Sequence, residues 1–190
     1  MNTSDAITLI SGAIRHRGGA WADVGAGDGT FTRALVELLG PESRIYAIDR
    51  DAGTIATLAR WALTEAPNVI PVTADFTRQL TLPGLEGDGL DGMLLANVLH
   101  FVRDTGPVLT RLTEHVRPGG RIVIVEYDRR RASPWVPHPV PSVKLPVLAE
   151  AAGLSTPTVI NTRPSLYGGT LYVAVAERLP ERERLQQFSS

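Results

Sequence analysis

Trp21-Ala-Asp-Val-Gly-Ala-Gly-Asp-Gly-Thr-Phe31 places an acidic residue and three alternating glycines between a short apolar run and a segment with helical spacing. Because glycine has no Cβ, Gly25, Gly27 and Gly29 let the backbone bend sharply and approach a ligand closely. A helix that begins near Thr30 would present unpaired backbone amides at the same point. The stretch therefore predicts a nucleotide-binding turn at the end of a strand.

The glycine spacing distinguishes two kinds of nucleotide-binding turn. The dinucleotide fingerprint is Gly-x-Gly-x-x-Gly, whereas this turn reads Gly-x-Gly-x-Gly, with Thr30 where the third glycine of the fingerprint belongs. With Asp23 two residues before it, the turn resembles the first motif of class I S-adenosylmethionine-dependent methyltransferases, acid-x-Gly-x-Gly-x-Gly. The resemblance implies S-adenosyl-L-methionine as the cofactor and places Asp23, Gly25, Ala26, Gly27 and Gly29 at its site.

Around the turn, helical patterns alternate with short apolar runs, which is typical of a parallel sheet covered on both faces. The predicted helices are 4–17, 30–39, 52–64, 105–116 and 142–152. The predicted strands are 21–24, 44–48, 69–73, 90–96, 121–126, 158–162 and 170–177, with Pro118-Gly119-Gly120 as a turn before the fifth. No helix separates the last two strands, so they predict an antiparallel hairpin. The fold class is α/β, a doubly wound, mostly parallel seven-stranded sheet similar to the Rossmann-like methyltransferase sheet over about residues 20–178.

Composition predicts one soluble domain over residues 1–178, with an N-terminal helix within 1–19 and a flexible tail over 179–190. The chain has no cysteine, which excludes disulfides and thiolate metal sites, and no metal-ligand cluster is visible. Its 19 basic and 20 acidic side chains make nucleic acid an improbable partner. Without a hydrophobic signal core or a run long enough to span a bilayer, the expectation is a cytoplasmic protein that binds no membrane. A homodimer is compatible with the short segment before the first strand.

Two acidic residues follow predicted strands at the edge where ligands of open α/β sheets bind. Asp49 ends the second strand, 20 residues after Gly29, where a carboxylate can accept hydrogen bonds from both ribose hydroxyls of a nucleoside. The neighbouring Arg50 is assigned to the same cofactor site. For Asp75 and Phe76, after the third strand, the resemblance implies contact with the adenine amino group and ring.

Candidate catalytic residues lie after the fourth and fifth strands. Asn97 and His100 are expected to face the methionine end of the cofactor, the transferring methyl or the acceptor, and Asn97 is assigned to the cofactor. Glu126 and Tyr127 begin the loop after the fifth strand, and His138 lies further along it. His100, His138 and Glu126 are each able to take a proton from a hydroxyl or an amine, and the sequence does not choose among them.

The sequence thus predicts methyl transfer to the O, N or C atom of a small or medium organic acceptor. One alternative is a nicotinamide-dependent oxidoreductase, which Thr30 and the terminal hairpin oppose. Another alternative is a non-catalytic subunit that binds the cofactor beside a partner.

Overall fold

A computed structural model describes residues 1–85, 87, 89–128, 131–165 and 168–181. Seven strands form one sheet in the order β3-β2-β1-β4-β5-β7-β6. The strands are β1 (Gly19–Val24), β2 (Ser43–Asp49), β3 (Val69–Thr73), β4 (Leu90–Ala96), β5 (Val116–Asp128), β6 (Thr158–Pro164) and β7 (Thr170–Glu177). The α-helices are α1 (Thr3–Ile10), α2 (Thr30–Leu39), α3 (Ala52–Glu65), α4 (Thr105–Thr113) and α5 (Leu145–Ala151).

The central strands are buried on both faces, and this determines the layered architecture. In β2, Tyr46 and Ile48 belong to one hydrophobic cluster, and Ile45 and Ala47, which alternate with them, belong to a second cluster on the other face. Helices cover both clusters. β7 is antiparallel to both β5 and β6, and the other neighbouring strands pair in parallel. The predicted doubly wound sheet with a C-terminal antiparallel hairpin is confirmed.

The N-terminal helix is shorter than the predicted 4–17. Asn2, rather than Ser4, caps α1, because its side-chain oxygen accepts a hydrogen bond of 2.8 Å from the Asp5 amide. After Ile10 the chain tightens into a 3₁₀ turn containing Gly12, and the backbone is extended at Ile14. Glycine destabilises a helix interior by about 1 kcal/mol, so Gly12 favours an end of the helix here. The hydrophobic spacing continues past Gly12 and for that reason predicted a longer helix.

The fifth strand begins earlier than predicted. Pro118, Gly119 and Gly120 lie inside β5, and α4 ends at Thr113 rather than at residue 116. The register with β4 shifts here, since Leu90 pairs with Val116 and Gly92 pairs with Arg121. Pro118, Gly119 and Gly120 therefore form an irregularity within β5. Pro118 has no backbone N–H to donate, and such a residue is tolerated in a strand where the regular pairing is interrupted.

Most of the predicted flexible tail, 179–190, lies outside the described residues. Residues 179–181 are described, and 182–190 lie outside the described residues. Within the described ranges, no helix combines the length and the hydropathy needed to cross a bilayer.

Candidate cofactor and catalytic site

A cavity of about 460 Å³ opens at the carboxyl ends of the parallel strands, beside the glycine-rich turn. This is the edge at which α/β sheets bind ligands. Seven of the predicted cofactor residues line it, namely Gly25, Gly27, Asp49, Arg50, Asp75, Phe76 and Asn97.

Backbone hydrogen bonds tie the glycine turn to β2. The amides of Gly25 and Ala26 both donate to the Ile48 carbonyl at 2.8 Å. The Gly27 amide donates to Asp49 Oδ2 at 2.9 Å. The turn is therefore fixed by the neighbouring strand before any ligand arrives.

Two of the amides that the sequence predicted to be free near the start of α2 are paired. Asp28 Oδ1 accepts hydrogen bonds from the Thr30 amide at 3.1 Å and from the Thr30 hydroxyl at 2.8 Å. The Gly29 amide donates to the Ala26 carbonyl at 2.9 Å. The Gly29 and Thr30 amides are therefore not free to bind a phosphate, which helix starts bind through unpaired amides.

The three glycines serve different purposes, although all have positive φ. A Cβ at Gly25 would collide with Val98 Cγ1, and one at Gly29 would collide with Leu58 Cδ1. A Cβ at Gly27 would meet only the Gly25 carbonyl oxygen, at 3.9 Å. Gly25 and Gly29 thus permit packing within the protein, whereas Gly27 leaves open space on the cavity side.

Asp49 is half-buried at the cavity wall. Its Oδ2 accepts from the Gly27 amide, and its Oδ1 accepts from the Asp51 amide at 3.0 Å. An ionised carboxylate has about four acceptor positions, so capacity remains for two further donors. The vicinal hydroxyls of a ribose supply two donors with suitable spacing.

Asp75 and Phe76 contribute a polar and an apolar group after β3. Asp75 Oδ1 accepts from the Thr77 hydroxyl at 2.6 Å and from the Thr77 amide at 3.0 Å. These hydrogen bonds hold the pKa of the Asp75 carboxyl below its ordinary value, which keeps it an acceptor at neutral pH. Phe76 lines the cavity beside it, half-buried.

Asn97 is the one residue other than glycine with positive φ in the described part of the chain, at 57°. Its amide donates to the Val125 carbonyl at 2.8 Å. Its side-chain Oδ1 is buried and has no hydrogen-bond partner in the described ranges. A buried unsatisfied acceptor costs about 1 to 3 kcal/mol, and strained backbone persists where surrounding structure enforces it. A ligand that donates a hydrogen bond at this wall would remove that cost.

Asp23 lies beneath the turn and away from the cavity. Its side chain is 1% exposed, and its Oδ2 accepts a hydrogen bond of 2.6 Å from the Thr32 hydroxyl. Burial raises the pKa of the Asp23 carboxyl to about 7, and the bond from Thr32 opposes this rise. Asp23 thus supports the turn from below. Like Ala26 and Gly29, it is not among the residues that line the cavity.

His100 and Glu126 form a buried pair at the ends of β4 and β5. Their exposed fractions are 3% and 0%, and His100 Nδ1 lies 2.8 Å from Glu126 Oε2. Glu126 Oε1 also accepts from the His100 amide at 3.1 Å. A carboxylate can only accept, so this contact favours the tautomer with the proton on Nδ1, which leaves the lone pair on Nε2.

The other two catalytic candidates lie further from this pair. Tyr127 is half-buried, with its ring centre 5.9 Å from that of His100. His138 is exposed and lines a separate cavity of about 400 Å³, joined to His100 only through its amide, which donates to the His100 carbonyl at 2.9 Å. The structure thus brings His100 and Glu126 together and separates His138 from them.

Five lining residues were not singled out by the sequence, namely Asp51, Thr77, Val98, Phe101 and Val102. Phe101 is 59% exposed and packs against His100, with ring centres 4.3 Å apart and ring planes tilted by 48°. Apolar residues after a strand look like core residues in a sequence. An aromatic residue next to the candidate histidine was the available signal.

Comparison with known proteins identifies the family. The methyltransferase domain family matches residues 22–122, just over half of the chain. A highly reducing polyketide synthase of Strobilurus tenacellus is 32% identical over 123 residues, which cover 62% of this chain and 4% of the synthase. An uncharacterized 37.1 kDa protein in transposon TN4556 of Streptomyces fradiae is 28% identical over 156 residues, covering 73% of this chain and 44% of that protein. The chain therefore spans less than half the length of both curated relatives.

Solved structures agree with the fold. The crystal structure of Burkholderia thailandensis 1,6-didemethyltoxoflavin-N1-methyltransferase, with bound 1,6-didemethyltoxoflavin and S-adenosylhomocysteine, has a TM-score of 0.70 at 23% identity. The match covers 94% of this chain and 78% of that one. The chain belongs to the methyltransferase domain family, which confirms the resemblance that the glycine turn predicted.

Proposed function

We propose that this member of the methyltransferase domain family binds S-adenosyl-L-methionine in the 460 Å³ cavity and transfers its methyl group to a small or medium organic acceptor. The observation that carries the proposal is the position of Asp49, a half-buried carboxylate with spare acceptor capacity at the cavity wall, next to the open side of Gly27. The family match supports methyl transfer over the nicotinamide alternative.

The cavity residues fit the parts of this cofactor. Asp49 would accept hydrogen bonds from the two ribose hydroxyls, and Asp75 would accept one from the adenine amino group beside the Phe76 ring. Asn97 Oδ1, buried and unpartnered in the described ranges, would accept from the methionine ammonium group. The donor groups named here thus each meet an acceptor that the fold already holds in place.

The bound cofactor supplies an electrophilic methyl group, so the protein has to position the acceptor and exclude water. His100 is 3% exposed and does not line the cavity itself, but its ring packs against Phe101, which does. For a hydroxyl or amine acceptor, we assign His100 as the group that takes the proton. Glu126 holds the ring in one tautomer through Nδ1 at 2.8 Å and balances the positive charge that His100 gains. Phe101, exposed beside His100, would form an apolar wall for the acceptor.

The proposed acceptor is a small or medium organic compound methylated at O, N or C. The neighbour with the similar fold is, by its name, a 1,6-didemethyltoxoflavin N1-methyltransferase, which is consistent with such an acceptor. A cytoplasmic setting and a homodimer that completes the acceptor pocket belong to the same proposal.

Calorimetry and a turnover assay together test the proposal. We expect S-adenosylhomocysteine to bind and NAD to bind at least a hundredfold more weakly; equal or tighter binding of NAD would reject the cofactor assignment. Methyl transfer from labelled S-adenosylmethionine is then measured against a panel of phenols, amines and carbon acids. Tight cofactor binding without turnover of any acceptor would favour the non-catalytic subunit.

A further inference from the structure

A second cavity, of about 310 Å³, lies at the opposite edge of the sheet, at the amino ends of β1, β4 and β5. The methyltransferase site occupies the carboxyl ends, so the two cavities are separated by the length of the strands. The ionisable residues that line the cavity at the amino edge are Arg15, His16, Arg17, Asp91, Arg117 and Arg121.

The charge of this cavity differs from that of the chain. Four arginines and one histidine accompany a single carboxylate in the lining, whereas the whole chain has a formal net charge of −1. Such a local excess of one sign in a concave site concentrates ligands of the opposite charge.

Three of the arginines are paired with acids. Arg117 Nε lies 2.8 Å from Asp91 Oδ1, and Arg15 Nη1 lies 2.5 Å from Glu177 Oε1. Arg121 Nη2 lies 3.7 Å from the same Glu177 oxygen. Arg17 has no ion pair in the described part of the chain. The two carboxylates therefore neutralise only part of the charge contributed by the arginines.

Arg121 lacks one of the partners that its guanidinium needs. Its side chain is only 12% exposed, and its Nη1 donates to the Ala13 carbonyl at 2.6 Å. Its Nε is buried without a hydrogen-bond partner in the described ranges. Burial, together with the nearby charge of Arg15, lowers the pKa of the Arg121 guanidinium. An anion in the cavity would oppose this repulsion and supply an acceptor for the orphaned donor.

We propose that the cavity at the amino edge binds the phosphoryl group of a small molecule through Arg17, Arg117 and Arg121. Planar guanidinium groups match the oxygen spacing of phosphate and form charge-assisted hydrogen bonds with it. The volume is at the lower end of small-molecule sites, which favours a compact phosphorylated ligand over a nucleic acid. At Gly18, where φ is 81°, nothing lies within 4 Å of the Cβ position, so the backbone leaves room at the rim.

Inorganic pyrophosphate is a suitable probe, titrated calorimetrically against the full chain at low ionic strength. Arg17→Gln and Arg117→Gln each remove one cavity charge, and we expect each to raise the dissociation constant at least tenfold. Arg60→Gln is the matched control, because Arg60 is an exposed arginine on α3 outside the cavity. The control should change the dissociation constant by less than twofold.

The same samples show whether the variants remain folded. Their affinity for S-adenosylhomocysteine should stay within twofold of the wild type, because that ligand is assigned to the other edge of the sheet. Pyrophosphate that fails to bind the wild type at millimolar concentration would overturn the proposal. So would an equal loss in Arg60→Gln, competition between the two ligands for one site, or tighter binding of a single-stranded RNA that is weakened by the same substitutions.

Discussion

Asp49→Ala tests the ribose assignment, because it removes a carboxylate that both the turn and the proposed ligand use. A hydrogen bond to a charged acceptor contributes about 1.5 to 3 kcal/mol, and two ribose hydroxyls would each make one. Water in the space left by the side chain recovers part of this. We therefore expect S-adenosylhomocysteine binding to weaken by about 1.5 to 4 kcal/mol, or roughly tenfold to a thousandfold in dissociation constant.

The structure adds a cost to the protein without ligand. Asp49 also accepts from the amides of Gly27 and Asp51, at 2.9 and 3.0 Å. Losing both bonds at a half-buried position should lower the free energy of unfolding by about 1 to 2 kcal/mol. Asp104→Ala is the control, since Asp104 is an exposed residue whose side chain makes no capping bond.

A double-mutant cycle separates the two effects. Wild type and Asp49→Ala are titrated calorimetrically with S-adenosylhomocysteine and with its 2′,3′-dideoxyribose analogue. If Asp49 binds the hydroxyls, the analogue should bind the two proteins about equally poorly. The affinity ratio of wild type to variant is compared for the two ligands. A ratio for the analogue as large as that for S-adenosylhomocysteine would refute the reasoning, since Asp49 would then act only by holding the turn.

Three further predictions concern the turn, the buried acid beneath it and the histidine pair. Gly27→Ala should weaken S-adenosylhomocysteine binding at least tenfold in calorimetry and lower the melting temperature modestly, because φ is 53° at this position. Gly25→Ala should lower the melting temperature more, because its Cβ would also collide with Val98 inside the protein. The reverse pattern would contradict the roles assigned to these glycines. The pKa of Asp23 is about 7 in the folded state against an ordinary 3.8, so the native state binds the proton more tightly, and stability should fall as pH rises from about 4 to 7, by up to about 1.4 kcal/mol per pH unit. Denaturant titrations of Asp23→Asn should show a flatter pH dependence than the wild type, and an unchanged slope would exclude Asp23 as its source. His100→Gln should lower kcat about a hundredfold or more for a hydroxyl acceptor while the affinity for S-adenosylhomocysteine is kept; full activity of His100→Gln would reject it as the base.

The sequence was most informative where the determining interactions are short-range. The bounds of α2 and β3 were predicted to the residue, because the hydrophobic period and the glycines that end elements act within a few positions. The irregularity at Pro118 in β5 was missed, because a proline and two glycines resemble a turn until a neighbouring strand pairs on both sides of them. The prediction of free amides at α2 was wrong for Thr30, because its amide donates to the Asp28 side chain.

The sequence by itself determined the fold class and the edge of the sheet where the site lies, because both follow from the order of elements and one local turn. Only the tertiary structure decided that Asp49 lines the cavity whereas Asp23, an acid in the same motif region, is buried beneath it. It also joined His100 to Glu126 across two strands and gathered the arginines at the opposite edge. The physical reason is that backbone conformation depends on nearby residues, whereas side-chain burial and charge pairing depend on elements that meet only when the sheet is assembled.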